Sequence, residues 1–156
     1  MKLYHGSTID IAKVDLALSK PNKDFGRAFY LSDDRQQALE MAQFRAEFEE
    51  TEPVVNVYEF DEALFQEFRY KRFEAYTEEW AHFVYDHRTE PHGRTLQDYD
   101  IVYGPIANDR VGAQIARYKQ GYITFDEFLR RIQYIKGITF QYAFCTQRAI
   151  DKLQKL

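Results

Sequence analysis

The sequence contains few of the residues that cross-link a chain, divide it or carry it into a membrane. Its single cysteine, Cys145, cannot form an internal disulfide and has no basic neighbour, so we expect an inert buried thiol. With 7 glycines and 4 prolines in 156 residues, no stretch reads as an interdomain linker. No apolar run reaches the length of a membrane span, and the first residues lack a signal peptide's apolar core. We therefore expect a single domain over residues 1–156, located in the cytoplasm and not in a membrane.

The charge is mildly acidic, with 25 Asp and Glu against 21 Lys and Arg and a net charge of −4. Proteins that bind nucleic acid constitutively normally present a basic face, so this balance argues against that class. Hydrophobic residues make up 45% of the chain and aromatic residues 17%, which is enough for a packed core.

Strand-like and helix-like patterns follow one another without a regular order. We predict strands over residues 2–6, 27–32, 53–61, 98–106 and 138–146, and helices over residues 35–50, 78–88, 125–135 and 147–156. Asp33, Thr124 and Thr146 are the expected N-caps of three of these helices. Trp80 and Phe83 share one helical stripe, which predicts that they belong to the core. This mixture without a steady strand–helix–strand rhythm indicates an α+β fold.

Familiar catalytic and metal-binding motifs are missing. The four histidines have no cysteine partners, and His82 and His87 are five residues apart instead of the four expected of a zinc pair on a helix. We therefore predict no metal site. No phosphate-binding loop, dinucleotide fingerprint or nucleophile elbow occurs either.

Three short segments offer groups that could hold a flat ligand: "YHG" at 4–6, "DFGRAFYLS" at 24–32 and "FQYAF" at 140–144. Each lies in, or at the end of, a predicted strand. His5 can donate or accept a hydrogen bond, and Gly6 has no Cβ to keep a ligand from its backbone. Tyr30 offers an aromatic ring, and the Gln141 amide offers a donor and an acceptor.

In this order the segments resemble the histidine–tyrosine–glutamate layout of ADP-ribosyltransferases of the diphtheria-toxin and poly-ADP-ribose-polymerase type. Over its whole length the chain resembles a family of small bacterial proteins of unknown function. That resemblance rests on "LYHGS", "DFGRAFY", "WAHFVYDHR", "DYDIVYGPIA" and "QYAF". It implies an α+β fold with an ADP-ribosyltransferase-like split β-sheet core and flanking helices.

The resemblance also implies roles for individual residues, with NAD as the substrate. His5 would hold the hydroxyl of the adenosine ribose, Gly6 would bracket the nicotinamide carboxamide, and Tyr30 would line the nicotinamide pocket. Met41 falls where the polymerases stack a second tyrosine, and Gln141 takes the place of the catalytic glutamate. His5, Tyr30 and Gln141 would be the catalytic residues, and Ser7 and Phe29 would complete the cofactor-binding set.

The chain departs from the transferase pattern at two positions. Ala28 stands where the middle motif has a second glycine, and Gln141 stands where the enzymes have an acid. An amide keeps a hydrogen bond but cannot offset the positive charge that develops as the glycosidic bond opens. Asp98 or Asp100 could supply that charge if their strand faces the pocket, although both also read as ordinary acids at a strand edge.

Three hypotheses for function follow. The first is an NAD-dependent mono-ADP-ribosyltransferase or NAD glycohydrolase with an unknown acceptor, which would suit the toxin of a toxin–antitoxin pair with a protein antitoxin as partner. The second is a catalytically weak NAD or ADP-ribose sensor. The third is a protein-interaction module that uses the helix of Trp80, Phe83 and Tyr85.

Overall fold

A computed structural model describes residues 1–135 and 137–156, and in this part the chain forms seven strands and five α-helices. The strands are β1 Lys2–Ser7, β2 Phe29–Leu31, β3 Val54–Glu59, β4 Tyr70–Arg72, β5 Ile101–Pro105, β6 Phe140–Phe144 and β7 Gln154–Lys155. The helices are α1 Arg35–Glu49, α2 Glu78–Thr89, α3 Val111–Lys119, α4 Phe125–Arg131 and α5 Gln147–Ile150. Short 3₁₀ helices cover Leu16–Leu18 and Glu62–Glu67.

The strands form two small sheets, ordered β1-β3-β7 and β2-β6-β5-β4. All pairs are antiparallel except β4 and β5, which run parallel. The α+β class predicted from the sequence is thereby confirmed.

One backbone bridge joins the two sheets. Tyr4 of β1 and Ser32, just after β2, exchange both of their hydrogen bonds, with N–O distances of 2.8 and 2.9 Å. The ladder between β1 and β2 does not extend beyond this pair, so the two sheets separate next to it.

Two apolar cores flank the β2-β6-β5-β4 sheet. One packs around Trp80 and Phe25, and the other packs around Tyr58 and Phe144. Trp80 is fully buried, and its Nε1 donates to the Pro105 carbonyl at 2.9 Å. Phe83 is half-buried against the same core, so the predicted core role of this helical stripe is confirmed.

Helix α1 lies very close to β1, and glycine makes this approach possible. A Cβ on Gly6 would lie 2.1 Å from the Ala38 carbonyl oxygen and 2.8 Å from the Ala42 nitrogen. Both alanines are buried, so the small side chains of α1 face the sheet. Its larger apolar side chains Phe44 and Phe48 are 71% and 85% exposed.

Three local predictions are wrong. The helix predicted over residues 125–135 ends at Arg131. Asp34, and not Asp33, caps α1, because the Asp34 carboxylate accepts from the Gln36 N–H at 2.8 Å. The predicted C-terminal helix over residues 147–156 ends at Ile150, and Gln154–Lys155 pair with β3 as strand β7. The predicted caps Thr124 and Thr146 are confirmed.

Candidate functional site

The candidate site begins where the two sheets separate, with a contact between His5 and β2. The Nδ1 atom of His5 lies 2.7 Å from the carbonyl oxygen of Tyr30. A carbonyl can only accept, so Nδ1 must carry the proton. The ring of His5 also packs on Phe29, with centroids 4.4 Å apart. The backbone hydrogen bonds between β1 and β2 end at the Tyr4–Ser32 bridge, and next to it the two strands contact each other through the His5 side chain.

The His5 ring is held in its neutral form. Burial is the main cause that lowers the pKa of His5 below its ordinary value. The hydrogen bond to the Tyr30 carbonyl raises this pKa, and the nearby Arg45 and Lys155 lower it further. With Nδ1 donating to Tyr30, the Nε2 atom of the neutral ring is an acceptor. It has no hydrogen-bond partner among residues 1–135 and 137–156. Nε2 is thus able to accept from a hydroxyl group of a ligand.

The backbone of Gly6 faces the gap between the sheets. Hydrogen bonds alternate along an antiparallel strand, and Tyr4 directs its N–H and C=O toward Ser32 and away from β3. Gly6, two residues later, directs its own groups toward the same side, opposite Tyr30. The missing Cβ of Gly6 makes room for α1. Gly6 itself is buried, with its backbone N–H and C=O on the strand edge that faces the gap.

Tyr30 connects β2 to the loop that precedes it. Its hydroxyl donates to the Gly26 carbonyl at 2.8 Å and accepts from the Phe25 N–H at 2.9 Å. Burial, followed by the nearby Asp24 carboxylate, raises the pKa of Tyr30 well above its ordinary value, so the hydroxyl remains protonated. In this conformation Tyr30 anchors the 24–26 loop beside the gap.

Asp24, in the same loop, is the most connected side chain of the site. It is 4% exposed. Its Oδ1 accepts from Nε and Nη2 of Arg88 at 2.7 and 2.6 Å. Its Oδ2 accepts from the Ala107 N–H and from Nε2 of Gln141, both at 3.2 Å. Four of the quoted sequence segments, containing Asp24, Arg88, Ala107 and Gln141, therefore meet at one carboxylate.

Gln141 lies on the same sheet face as Tyr30. Tyr30 is paired with Ala143 in the β2–β6 ladder, and side chains two residues apart on a strand share a face. Because a carboxylate can only accept, Asp24 requires Gln141 to present its NH₂ group, which leaves the amide oxygen directed elsewhere. That oxygen has no hydrogen-bond partner in the part of the chain that the structure describes.

The structure thus links the three predicted catalytic residues through one loop. His5 contacts the Tyr30 carbonyl, the Tyr30 hydroxyl holds the loop, and the loop's Asp24 holds Gln141. Sequence reasoning gave no role to Asp24 or Arg88, although both lie inside quoted segments. The available signal was an acid directly before Phe-Gly and an arginine at the end of an apolar helical stripe.

The other predicted binding residues lie around this site in different environments. Ser7 is buried in β1, and its Oγ accepts from the Ile9 N–H at 3.4 Å. Phe29 is buried in the core, edge-on to Tyr58. Met41 lies on α1 and is 55% exposed. Ala28 is buried and its φ is not positive, so this backbone does not require glycine there.

Asp100 lies at the far end of the β5–β6 ladder from Gln141. Gln141 pairs with Gly104, and Asp100 directly precedes Ile101. Ile101 is roughly 10 Å from Gly104 along β5. The Asp100 carboxylate accepts from Thr146 Oγ1 and Arg148 Nη2, each at 2.8 Å, and helps to close the end of the sheet. Asp98 is exposed in the preceding loop. The position of Asp100 therefore favours the ordinary acid at a strand edge over the alternative that it supplies the missing charge at the site.

Cys145 is 8% exposed, and burial raises its pKa to about 12. A thiol with such a pKa is almost entirely protonated at neutral pH, which makes it a poor nucleophile.

Two surface depressions lie away from the candidate residues. One, of about 340 Å³, is lined by Phe60 and Gln154, and the other, of about 380 Å³, by Tyr58 and Ile150. Neither is lined by His5, Tyr30 or Gln141.

None of the helices in residues 1–135 and 137–156 combines the length and apolar character needed to cross a membrane. Within the same residues, no group of three or more His, Cys, Asp or Glu side chains is arranged to hold a metal ion.

Comparison with known proteins identifies the family without assigning a function. No curated protein and no solved structure matches the chain. The model of one family, described as "Protein of unknown function (DUF3990)", matches residues 1–155. The chain therefore belongs to the DUF3990 family of proteins of unknown function.

Proposed function

We propose that this protein binds NAD at the gap between its two sheets and cleaves the bond between nicotinamide and ribose. The ADP-ribose would pass to an acceptor group in a mono-ADP-ribosyltransferase reaction, or to water in a glycohydrolase reaction. In either case nicotinamide leaves with the electron pair of the glycosidic bond, and the acceptor loses a proton as its bond to C1 of the ribose forms.

The observation that carries this proposal is the contact of His5 with Tyr30 at the point where the sheets separate. It leaves one neutral imidazole nitrogen as an acceptor, and the strand pattern directs the backbone N–H and C=O of the neighbouring Gly6 toward the same gap. A ribose hydroxyl can donate to the imidazole, and a carboxamide can form both hydrogen bonds with a single residue's backbone. These groups match the adenosine ribose and the nicotinamide carboxamide, the two parts of NAD that the resemblance assigns to His5 and Gly6.

Isothermal titration calorimetry with NAD, followed by chromatography of released nicotinamide, tests the proposal. We expect the wild-type protein to bind NAD and His5→Asn to lose most of the affinity. Asparagine keeps a donor near the position of Nδ1 for the Tyr30 carbonyl but removes Nε2. Loss of one such hydrogen bond corresponds to roughly tenfold in Kd.

His92→Asn is the matched control, because His92 is exposed in the loop after α2. It should bind NAD as the wild type does. Absence of binding heat from the wild type, or equal affinity of His5→Asn and wild type, would refute an NAD site at this gap.

A sensor that binds NAD without cleaving it is the second candidate. The observation that favours it is the state of the carboxylate nearest Gln141, because Asp24 is already paired with Arg88. A charge neutralised in this way stabilises a developing oxocarbenium ion less than a free carboxylate does. Binding without nicotinamide release would favour the sensor over the enzyme.

The interaction module predicted on the Trp80 helix has little support in the structure. Trp80 is fully buried, and Phe83 and Tyr85 pack against the core. These rings therefore stabilise the fold and present little surface to a partner.

A further inference from the structure

Asp24 and Gln141 are 117 positions apart in sequence, yet they form a partly buried hydrogen bond that joins the 24–26 loop to β6. The contact has a direction, because a carboxylate accepts and only the NH₂ group of the amide can donate. Asp24 thereby fixes which end of the Gln141 amide points away from the loop. A negative charge at the NH₂ end also polarises the amide and makes its oxygen a better acceptor.

Asp24 is itself held firmly. Arg88 binds one carboxylate oxygen with two nitrogens, and the Ala107 N–H binds the other. Its side chain is therefore fixed by α2 and by the segment after β5. Gln141 is half-buried, and its amide oxygen has no hydrogen-bond partner in the described part of the chain.

The geometry points to Asp24 as a positioning residue for Gln141, which fixes the amide so that its oxygen accepts a hydroxyl of the bound ligand. This inference rests on the proposed function for the identity of the ligand, a nucleotide ribose. It extends that function in two ways. The amide oxygen of Gln141 becomes the acceptor at the position where the transferases have an acid, and Asp24 is the residue that fixes the orientation of this amide.

The inference predicts that Asp24→Asn reverses the Gln141 amide. Asparagine retains an oxygen for Arg88 and presents its NH₂ group at the position of Oδ2, where it faces the NH₂ group of Gln141 and also the Ala107 N–H, which loses its acceptor in every Asp24→Asn background. Gln141 must rotate so that its oxygen meets the NH₂ group of the introduced asparagine, and the site then receives a donor instead of an acceptor. We expect NAD affinity to fall about tenfold or more.

Gln141→Glu alone places two carboxylates in hydrogen-bond contact, so one of them takes up a proton at a raised pKa. We expect its NAD affinity to depend on pH.

The double variant Asp24→Asn/Gln141→Glu exchanges the acid and the amide and is the decisive test. The introduced asparagine can then donate to the introduced glutamate, which keeps a second oxygen for the site. NAD affinity should return to within about threefold of the wild type, and the pH dependence of Gln141→Glu should disappear. A merely structural role for Asp24 predicts no such rescue, because Asp24→Asn weakens the Arg88 pair in both backgrounds.

The matched control is Asp100→Asn, which alters another buried acid paired with an exposed arginine, Arg148, at the far end of the same strands. Its NAD affinity should equal that of the wild type.

Urea unfolding of the two single variants, the double variant and the wild type separates this inference from the proposed function. Less than additive destabilisation in the double variant supports the Asp24–Gln141 pairing whether or not NAD binds. Strictly additive effects would overturn the inference. If the pairing is present and no variant binds NAD, the positioning contact stands and the NAD proposal fails.

Discussion

Replacing Gly6 by alanine tests whether the close approach of α1 to β1 requires glycine at this position. The new Cβ would lie 2.1 Å from the Ala38 carbonyl oxygen and 2.8 Å from the Ala42 nitrogen. Both are backbone atoms of a helix, so no side-chain rotation relieves the contact. The helix would have to retreat by about 1 Å to restore ordinary contact distances, and it would lose packing of its buried alanines against the sheet.

Overpacking of this kind typically lowers the free energy of unfolding by about 1–3 kcal/mol. Because both elements are rigid, we expect about 3 kcal/mol for Gly6→Ala. In a protein of this size each kcal/mol lowers the melting temperature by roughly 2–4 °C, so we expect a decrease of about 6–12 °C. Urea unfolding followed by tryptophan fluorescence would give the free energy of unfolding directly.

Gly112→Ala is the matched control. Gly112 lies in the first turn of α3, and a Cβ there would meet no atom within 4 Å. Alanine favours helices over glycine by up to about 1 kcal/mol, so this variant should be as stable as the wild type or more stable. Equal stability of Gly6→Ala and Gly112→Ala would refute the packing explanation for Gly6.

Two further predictions concern pH and the far end of the sheet. His87 is buried and neutral, with Nε2 accepting from the Leu96 N–H at 3.2 Å, and burial lowers its pKa below 6.5. Its contribution to stability is therefore complete above about pH 6.5 and is lost as pH falls toward the lower folded-state pKa. Urea unfolding at pH 7.5 and 5.0 should show a larger loss for wild type than for His87→Gln, and identical losses would contradict this. Asp100→Asn should lower the free energy of unfolding by about 1–3 kcal/mol, because it weakens hydrogen bonds from a backbone amide, a threonine and Arg148. Unchanged unfolding by urea would show that this carboxylate does not close the sheet.

Much of the site's neighbourhood could be predicted from local sequence. Short runs of apolar and aromatic residues predicted the strands that carry His5, Tyr30 and Gln141, and each residue lies in a strand of the structure. The contact between His5 and Tyr30 is consistent with the resemblance that grouped them, while their roles toward NAD stay predictions. The position of Asp100 could not be read in this way, because alternation gives a strand's faces but not which end of it borders the site.

Some features were determined by the sequence alone, because the interactions that form them lie within one helical turn. Thr124 and Thr146 cap their helices through N–H groups three residues later, so a threonine before a helical pattern was sufficient to predict both. The adjacent pair Asp33 and Asp34 shows the limit, because either could cap α1 and backbone geometry selected Asp34.

Only the tertiary structure decided the features that depend on distant partners. Residues 154–155 form a strand because the edge of β3 offers them backbone hydrogen bonds, although their own pattern suggests a helix. Asp24 gains its importance from Arg88, Ala107 and Gln141, which are 64, 83 and 117 residues away. Hydrophobic periodicity cannot predict such pairings, because it indicates which face of an element is buried but not which distant polar group contacts that face. Only the folded structure brings the Asp24 carboxylate together with these three distant segments, and the contact determines which end of the Gln141 amide faces the 24–26 loop.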